Sequence, residues 1–260
     1  MIDPLMFIAL LPAVVLVVYI CRKDRTDKEP PALIAKLLGY GVLSCLPAIV
    51  VELILSAIIE RLNVRNAYLG YFLEAFVVAG LTEETCKFLF LRTTWRNPAF
   101  DYQFDAIVYA VMVALGFAAF ENVKYVYSYG FATGIVRAVT AVPGHAIFGV
   151  FMGYFYGYAK LSDYWGRADD RKAYLALSVV VPVLMHGCYD FLAFTQESDS
   201  RFTLLFYAYL VALYVFGIRR VNRSSRDDRR VTRETVFDYF RRMQYPMPPQ
   251  YRDRNDDFWR

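Results

Sequence analysis

The chain reads as an all-α, polytopic membrane helix bundle of about seven transmembrane helices. Three observations predict this. Of the 260 residues, 57% are hydrophobic and 17% aromatic, and the mean hydropathy is +0.31, which excludes an ordinary soluble domain. Apolar runs near the ~20 residues that a helix needs to cross a bilayer recur along the sequence. Lys and Arg concentrate in alternate connecting loops, as the positive-inside bias requires.

The first run extends from Pro4 to Ile20. Only Met1, Ile2 and Asp3 precede it, without a positive leader or a small-residue cleavage site, so it reads as a retained span. A polar loop, Arg22 to Pro31, follows. The second run, Leu33 to Ile59, carries Lys36 near one end, where it can snorkel, and Glu52 deeper, with no evident partner. The third, Tyr71 to Leu91, holds Glu83, Glu84 and Lys87. The fourth, Asp105 to Tyr127, carries Glu121 and Asn122. The fifth, Phe131 to Tyr158, carries Arg137, Pro143 and His145, and a Gly149, Gly153, Gly157 row that lets helix backbones approach closely. The sixth, Tyr174 to Phe194, carries Pro182, His186 and Asp190, and the seventh, Phe202 to Ile218, has no ionisable residue.

Basic residues crowd the first and fifth loops and the segment from Arg219 onward. That bias predicts an N-terminus outside and a C-terminus in the cytoplasm of a cell membrane. Residues 1–218 form the transmembrane domain. Residues 219–260 form a charged cytoplasmic tail that reads as mostly disordered, with Val236, Phe237, Phe240 and Met243 at the spacing of a short surface helix. Cys21, Cys45, Cys86 and Cys188 lie in or at apolar runs with no C-x-x-C pair. They read as packing residues rather than a disulfide scaffold or a thiolate zinc site.

The chemistry is concentrated in polar residues inside these runs. An ionisable side chain at bilayer depth is expensive and marks function by default. Glu83 and Lys87 stack at i,i+4 and Glu84 and Lys87 at i,i+3, so the lysine can neutralise one glutamate and leave the other to face a different helix. Both histidines of the chain fall in apolar runs. His186 and Asp190 stand at i,i+4, where a carboxylate can fix the imidazole tautomer. At a rise of about 1.5 Å per residue, Glu84 and His145 each lie about 20 Å from the outer ends of their spans, His186 about 12 Å and Glu121 about 9 Å. Four helices can thus share one buried, water-accessible pocket.

These residue types suit hydrolysis. A shielded glutamate can act as general base on a water, histidine can assist it or bind a metal, and Asn122 can stabilise an oxyanion. His145, His186 and Glu121 make a set for zinc or another divalent ion with open positions for water. Spacing alone decides neither for nor against a metal. For Glu121, Lys124 at i+3 offers a simpler partner. The competing function is a proton- or ion-coupled membrane transporter that uses the same carboxylates. It predicts an inverted repeat that the sequence does not display.

Taken in order, the blocks Glu83-Glu84-Thr85-Cys86-Lys87, Phe117 to Asn122, Gly144-His145-Ala146 and His186 to Asp190, with Glu29-Pro30 in the first loop, resemble the PrsW family of intramembrane proteases, in the wider group of the CAAX prenyl endopeptidases. The resemblance covers Arg22 to Phe194. It implies cleavage of membrane-anchored protein substrates within the bilayer, such as site-one cleavage of an anti-sigma factor, by a metal-dependent or glutamate-type mechanism. No nucleic acid is implied. The site residues it implies are Glu83, Glu84, Lys87, Glu121, Asn122, His145, His186 and Asp190.

Overall fold

The computed structural model describes residues 3–232, and the surface helix expected around Val236 to Met243 lies outside them. The described chain forms helices and turns plus one isolated bridge between Tyr102 and Arg230. The helices are α1 (Pro4–Lys23), α2 (Pro31–Arg61), α3 (Ala67–Phe72), α4 (Thr82–Leu91), α5 (Asp105–Tyr129), α6 (Phe131–Val139), α7 (Ala141–Tyr164), α8 (Ala168–Ser198) and α9 (Arg201–Arg226). A π-helical stretch, Leu73–Leu81, joins α3 to α4.

Among the described residues seven rods result, as the apolar runs predict, with three departures. Six are long and apolar enough to cross a membrane. The third run instead divides into α3, the π-helical stretch and α4. The fifth breaks at Thr140, whose backbone (φ −124°, ψ −75°) leaves the helical region. Pro143 falls in the first turn of α7, where a missing N–H removes no helical bond. Pro182 by contrast sits inside an unbroken α8. At the far end, α9 runs past the expected boundary at Ile218 to Arg226, and Val231 beyond it is buried.

α5 is the axis of the bundle. Every residue from Asp105 to Ala118 is buried, because α1, α2, α4 and α7 all pack on it. The closest approaches use small residues. A Cβ on Gly153 would come within 2.4 Å of the Ala106 carbonyl oxygen, and one on Gly41 within 2.1 Å of that of Val113. The glycine row read from sequence therefore faces α5. The outer faces of α1, α2 and α9 stay apolar and uncovered, with Val14, Leu53 and Leu204 among the exposed residues. Lipid is the solvent that such faces require.

Candidate active site

The π-helical stretch delivers the third run's carboxylates to the centre of the bundle. Thr82, Glu83, Glu84, Cys86, Lys87 and Phe88 are all buried on α4. π-helical segments recur at functional sites because they re-aim the residues that follow. Here the stretch packs against α8, where the Phe76 ring lies so close to Gly187 that a Cβ there would meet it at 2.3 Å. Gly187 is the neighbour of His186, so this contact fixes α8 against the helix that carries the glutamates.

Lys87 is the hub. Its Nζ donates to Glu83 Oε2 at 3.1 Å, to Glu84 Oε1 at 2.8 Å and to His145 Nδ1 at 3.0 Å, and it lies 4.1 Å from the centre of the Phe117 ring. Both i,i+3 and i,i+4 pairs are therefore made by one ammonium. Since Nδ1 of His145 accepts from Lys87, its other nitrogen carries the proton, and Nε2–H donates to Glu121 Oε2 at 2.9 Å. Glu121 also accepts from Arg137 at 2.9 Å, rather than pairing with Lys124. Arg137 Nε reaches Asn122 Oδ1 at 3.0 Å, and Asn122 Nδ2 donates to the Ala9 carbonyl at 2.8 Å. The Asn122 amide is thus engaged at both ends.

The second histidine completes the centre from α8. His186 Nδ1 lies 2.9 Å from Glu84 Oε1 and 4.0 Å from Glu83 Oε2, and Nε2 lies 3.2 Å from Asp190 Oδ2. The two imidazoles meet edge-on with ring centres 5.1 Å apart, and Phe148 stacks on His186 at 5.0 Å. The sequence placed Phe117 at the head of the Phe117 to Asn122 block without a role and did not single out Phe148. The only signal is position, since Phe148 lies one helical turn after His145 and Phe117 one turn before Glu121. The four cysteines are free thiols, and Cys45 and Cys86 pack with Ala48 and Phe117.

Ligand atoms of Glu83, Glu84, His145 and His186 all lie within 4.8 Å of one another, and all four residues are buried. A tetrahedral zinc shell has roughly 3.4 Å between neighbouring donors, so a modest contraction would bring the four into range. Glu84 Oε2 is buried with no hydrogen-bond partner among the described residues, so it is free to take a proton or an ion. Charge agrees with the donor count. Glu83, Glu84, Glu121 and Asp190 meet two permanent cations, Lys87 and Arg137, so two negative charges await protons or a divalent ion. The set fits a metal, with the two α4 glutamates closer to its centre than Glu121. Glu121 instead holds the far side of His145, where it is the outer partner that orients a ligating imidazole.

The family comparison agrees with this geometry. Residues 29–218 match the model of the "PrsW family intramembrane metalloprotease". Among curated proteins, the chain is 35% identical to Protease PrsW of Oceanobacillus iheyensis, over 82% of this chain and 93% of that one. It is 34% identical to Protease PrsW of Bacillus subtilis, over 82% and 92%, and 33% identical to that of Geobacillus kaustophilus, over 82% and 88%. No solved structure matches. With most of its length inside the family model and its polar blocks converging on one buried centre, the chain belongs to the PrsW family of intramembrane metalloproteases.

Proposed function

We propose that this multi-pass membrane protein hydrolyses peptide bonds of membrane-anchored protein substrates, with Glu84 as the general base. The observation that carries the assignment is the unpartnered Oε2 of Glu84, buried beside two imidazoles and an ammonium. Glu84 Oε1 is held by Lys87 and His186, so the carboxylate is oriented while its second oxygen can take a proton from water. The hydroxide adds to the scissile carbonyl carbon. Lys87, already in a low-dielectric site, stabilises the oxyanion that forms. The proton returns to the leaving amine as the C–N bond breaks. Asp190 orients His186, and the Asn122–Arg137–Glu121 chain orients His145 and sets its tautomer. Glu83 shares the charge of Lys87 and is the alternative base.

A zinc or other divalent ion, held by three of Glu83, Glu84, His145 and His186 with one position open, would supply Lewis-acid polarisation and a water acidic enough to ionise near neutrality. The peptidase domain is assigned to residues 1–218, and the basic segment beyond carries none of this chemistry. The distribution of Lys and Arg supports a cell-membrane protein with the N-terminus outside and the C-terminus in the cytoplasm. The family supports membrane-anchored proteins as the substrate class, with site-one cleavage of an anti-sigma factor as the specific expectation. The family match lends no support to the ion-coupled transporter.

The test uses purified full-length protein in lipid with a tethered reporter helix. Glu84→Gln, His145→Ala and His186→Ala should each reduce cleavage by at least about a hundredfold, with unchanged helical content. Cleavage retained in all three removes the assignment. Metal content and chelator sensitivity on the same sample decide the cofactor. A bound divalent ion whose loss stops turnover is expected of a metalloprotease, and full activity in metal-free protein assigns the water to Glu84 alone.

A further inference from the structure

The end of the bundle that carries the first loop has a second polar feature, far from the buried centre. The last turns of α9 meet the end of α1 there and leave a groove of about 500 Å³ lined by Lys23, Arg25, Arg219, Asn222, Arg223, Ser225 and Arg226. Five of these side chains are cationic, and none is a carboxylate. Arg219, Arg223 and Arg226 follow one another at i, i+4 and i+7, so they form a stripe on one face of α9. All three are exposed, and Arg25 beside them is exposed as well.

The groove's framework is fixed by bonds that leave its four arginines exposed. Lys23 Nζ donates to Asn222 Oδ1 at 2.6 Å, and Ser225 is buried with its hydroxyl on the Lys23 carbonyl. These contacts lock the two helices together. The pairing that the groove's arginines do make is weak. Arg223 reaches Asp227 at 3.5 Å, with both side chains largely exposed, which is worth little in water. Five positive charges held around one hollow repel each other unless an anion joins them.

Position identifies the anion. The groove opens one residue beyond Ile218, where α9 still exposes Val215, Phe216 and Ile218, and α1 exposes Val14, Val15 and Val18. Those faces are lipid-facing on the reading given above. A basic hollow at the water end of a lipid-facing surface lies at the depth of headgroup phosphates. We propose that this α1–α9 groove binds the phosphate of an anionic phospholipid headgroup. Arg219, Arg223 and Arg226 supply the bidentate donors, and Lys23 and Arg25 close the other side.

The experiment measures the melting temperature of full-length protein in nanodiscs of phosphatidylcholine, with and without phosphatidylglycerol, and titrates short-chain phosphatidylglycerol or inorganic phosphate into detergent-solubilised protein. Three forms are compared: the natural chain, the groove variant Arg219→Gln/Arg223→Gln/Arg226→Gln, and a control variant Arg22→Gln/Lys28→Gln, whose two exposed cations lie at the same end outside the groove lining. Phosphatidylglycerol should stabilise the natural chain and the control. The groove variant should bind it about a hundredfold more weakly, from several-fold per arginine, while melting normally in phosphatidylcholine. Equal loss in both variants, or none in the groove variant, overturns the groove as a site. Stabilisation by inorganic phosphate to the same extent as by lipid overturns the headgroup in favour of a free anion.

Discussion

Lys87 holds the place that a bound cation would compete for. Its ammonium touches three of the four residues that could ligate a metal, at 2.8 to 3.1 Å, and only 1% of it is exposed. An ammonium and a divalent ion cannot share that contact set at full strength, so each should weaken the other. Lys87→Met keeps the stem's volume and deletes the charge. It should raise the metal retained after dialysis, read by elemental analysis, while Glu84→Gln lowers it. Cleavage is not needed for either reading. The same substitution leaves Glu83 and Glu84 without their shared cation, so metal-free Lys87→Met should lose about 3–5 kcal/mol, and added metal should restore part of the melting temperature. A variant whose metal content and stability both match the natural chain would mean that Lys87 is a spectator. At this scale the sequence was informative because a charge inside an apolar run has few innocent explanations. It named Glu83, Glu84, Lys87, His145, His186 and Asp190, and all six meet. For Arg137 the sequence allows a snorkelling role or a carboxylate partner and does not choose between them, because that partner, Glu121, lies on a different helix. It offered Lys124 for Glu121 because i+3 neighbours are visible in a string and cross-helix neighbours are not.

At the scale of elements, hydrophobic runs located all seven rods, yet the two features that aim the chemistry were not legible. The π-helical Leu73–Leu81 is as apolar and as long as an α-helical stretch would be, so periodicity cannot distinguish them. The break at Thr140 falls between two helical segments of one apolar run. Both become visible only when packing is known, because the tight fit of Phe76 on Gly187 and the approach of α7 to α5 decide where the backbone must adjust. The π-helical segment is a register device, which makes a sharp prediction. Deleting Val77 would shorten the stretch by one residue and rotate Phe72 and Phe76 by about 100° relative to Glu83 and Glu84. The protein should still insert and stay helical, while the centre loses its alignment and cleavage falls at least about tenfold. Gly153→Leu should do the opposite. Its side chain has only the backbone of α5 to displace, so it should unfold the bundle, with a lower melting temperature and loss of helical signal. If the Val77 deletion cleaves normally, the π-helical geometry has no role in placing the glutamates.

Over the whole molecule, one end is closed by three distant parts of the chain. The loop after α1, the turn before α5 and the residues after α9 meet there. Gln103 N–H donates to the Arg229 carbonyl and Val231 N–H to that of Asp101, each at 2.8 Å, and Phe104 N–H donates to Asp228 at 2.8 Å. Asp24 is buried in this closure, and burial, with the nearby Asp228 and Asp27 carboxylates, raises its carboxyl to about 6 against the Glu29 backbone N–H and, more weakly, the attraction of Lys28. Glu29 is raised to about 7 by burial and by Asp24, Asp101 and Asp27, against the lowering effect of the nearby Tyr109 hydroxyl. Both groups hold protons more tightly in the folded chain than unfolded, where carboxyls titrate near 4. Their contribution is therefore full below about pH 4 and is lost as pH rises through about 6 and 7, where two buried charges appear in one acidic neighbourhood. This runs against the usual rise of stability as acidic solutions are neutralised. Asp24→Asn removes one of the two charges without changing the side chain's size. In nanodiscs it should raise the melting temperature by about 5 °C at pH 8, by about half as much at pH 5 and by little at pH 3, and flatten the fall between them. Asp169→Asn, on a side chain that is 99% exposed, should change neither. A melting temperature of Asp24→Asn that tracks the natural chain at every pH would mean that Asp24 keeps its charge in the fold, and that the closure is held by its backbone hydrogen bonds alone.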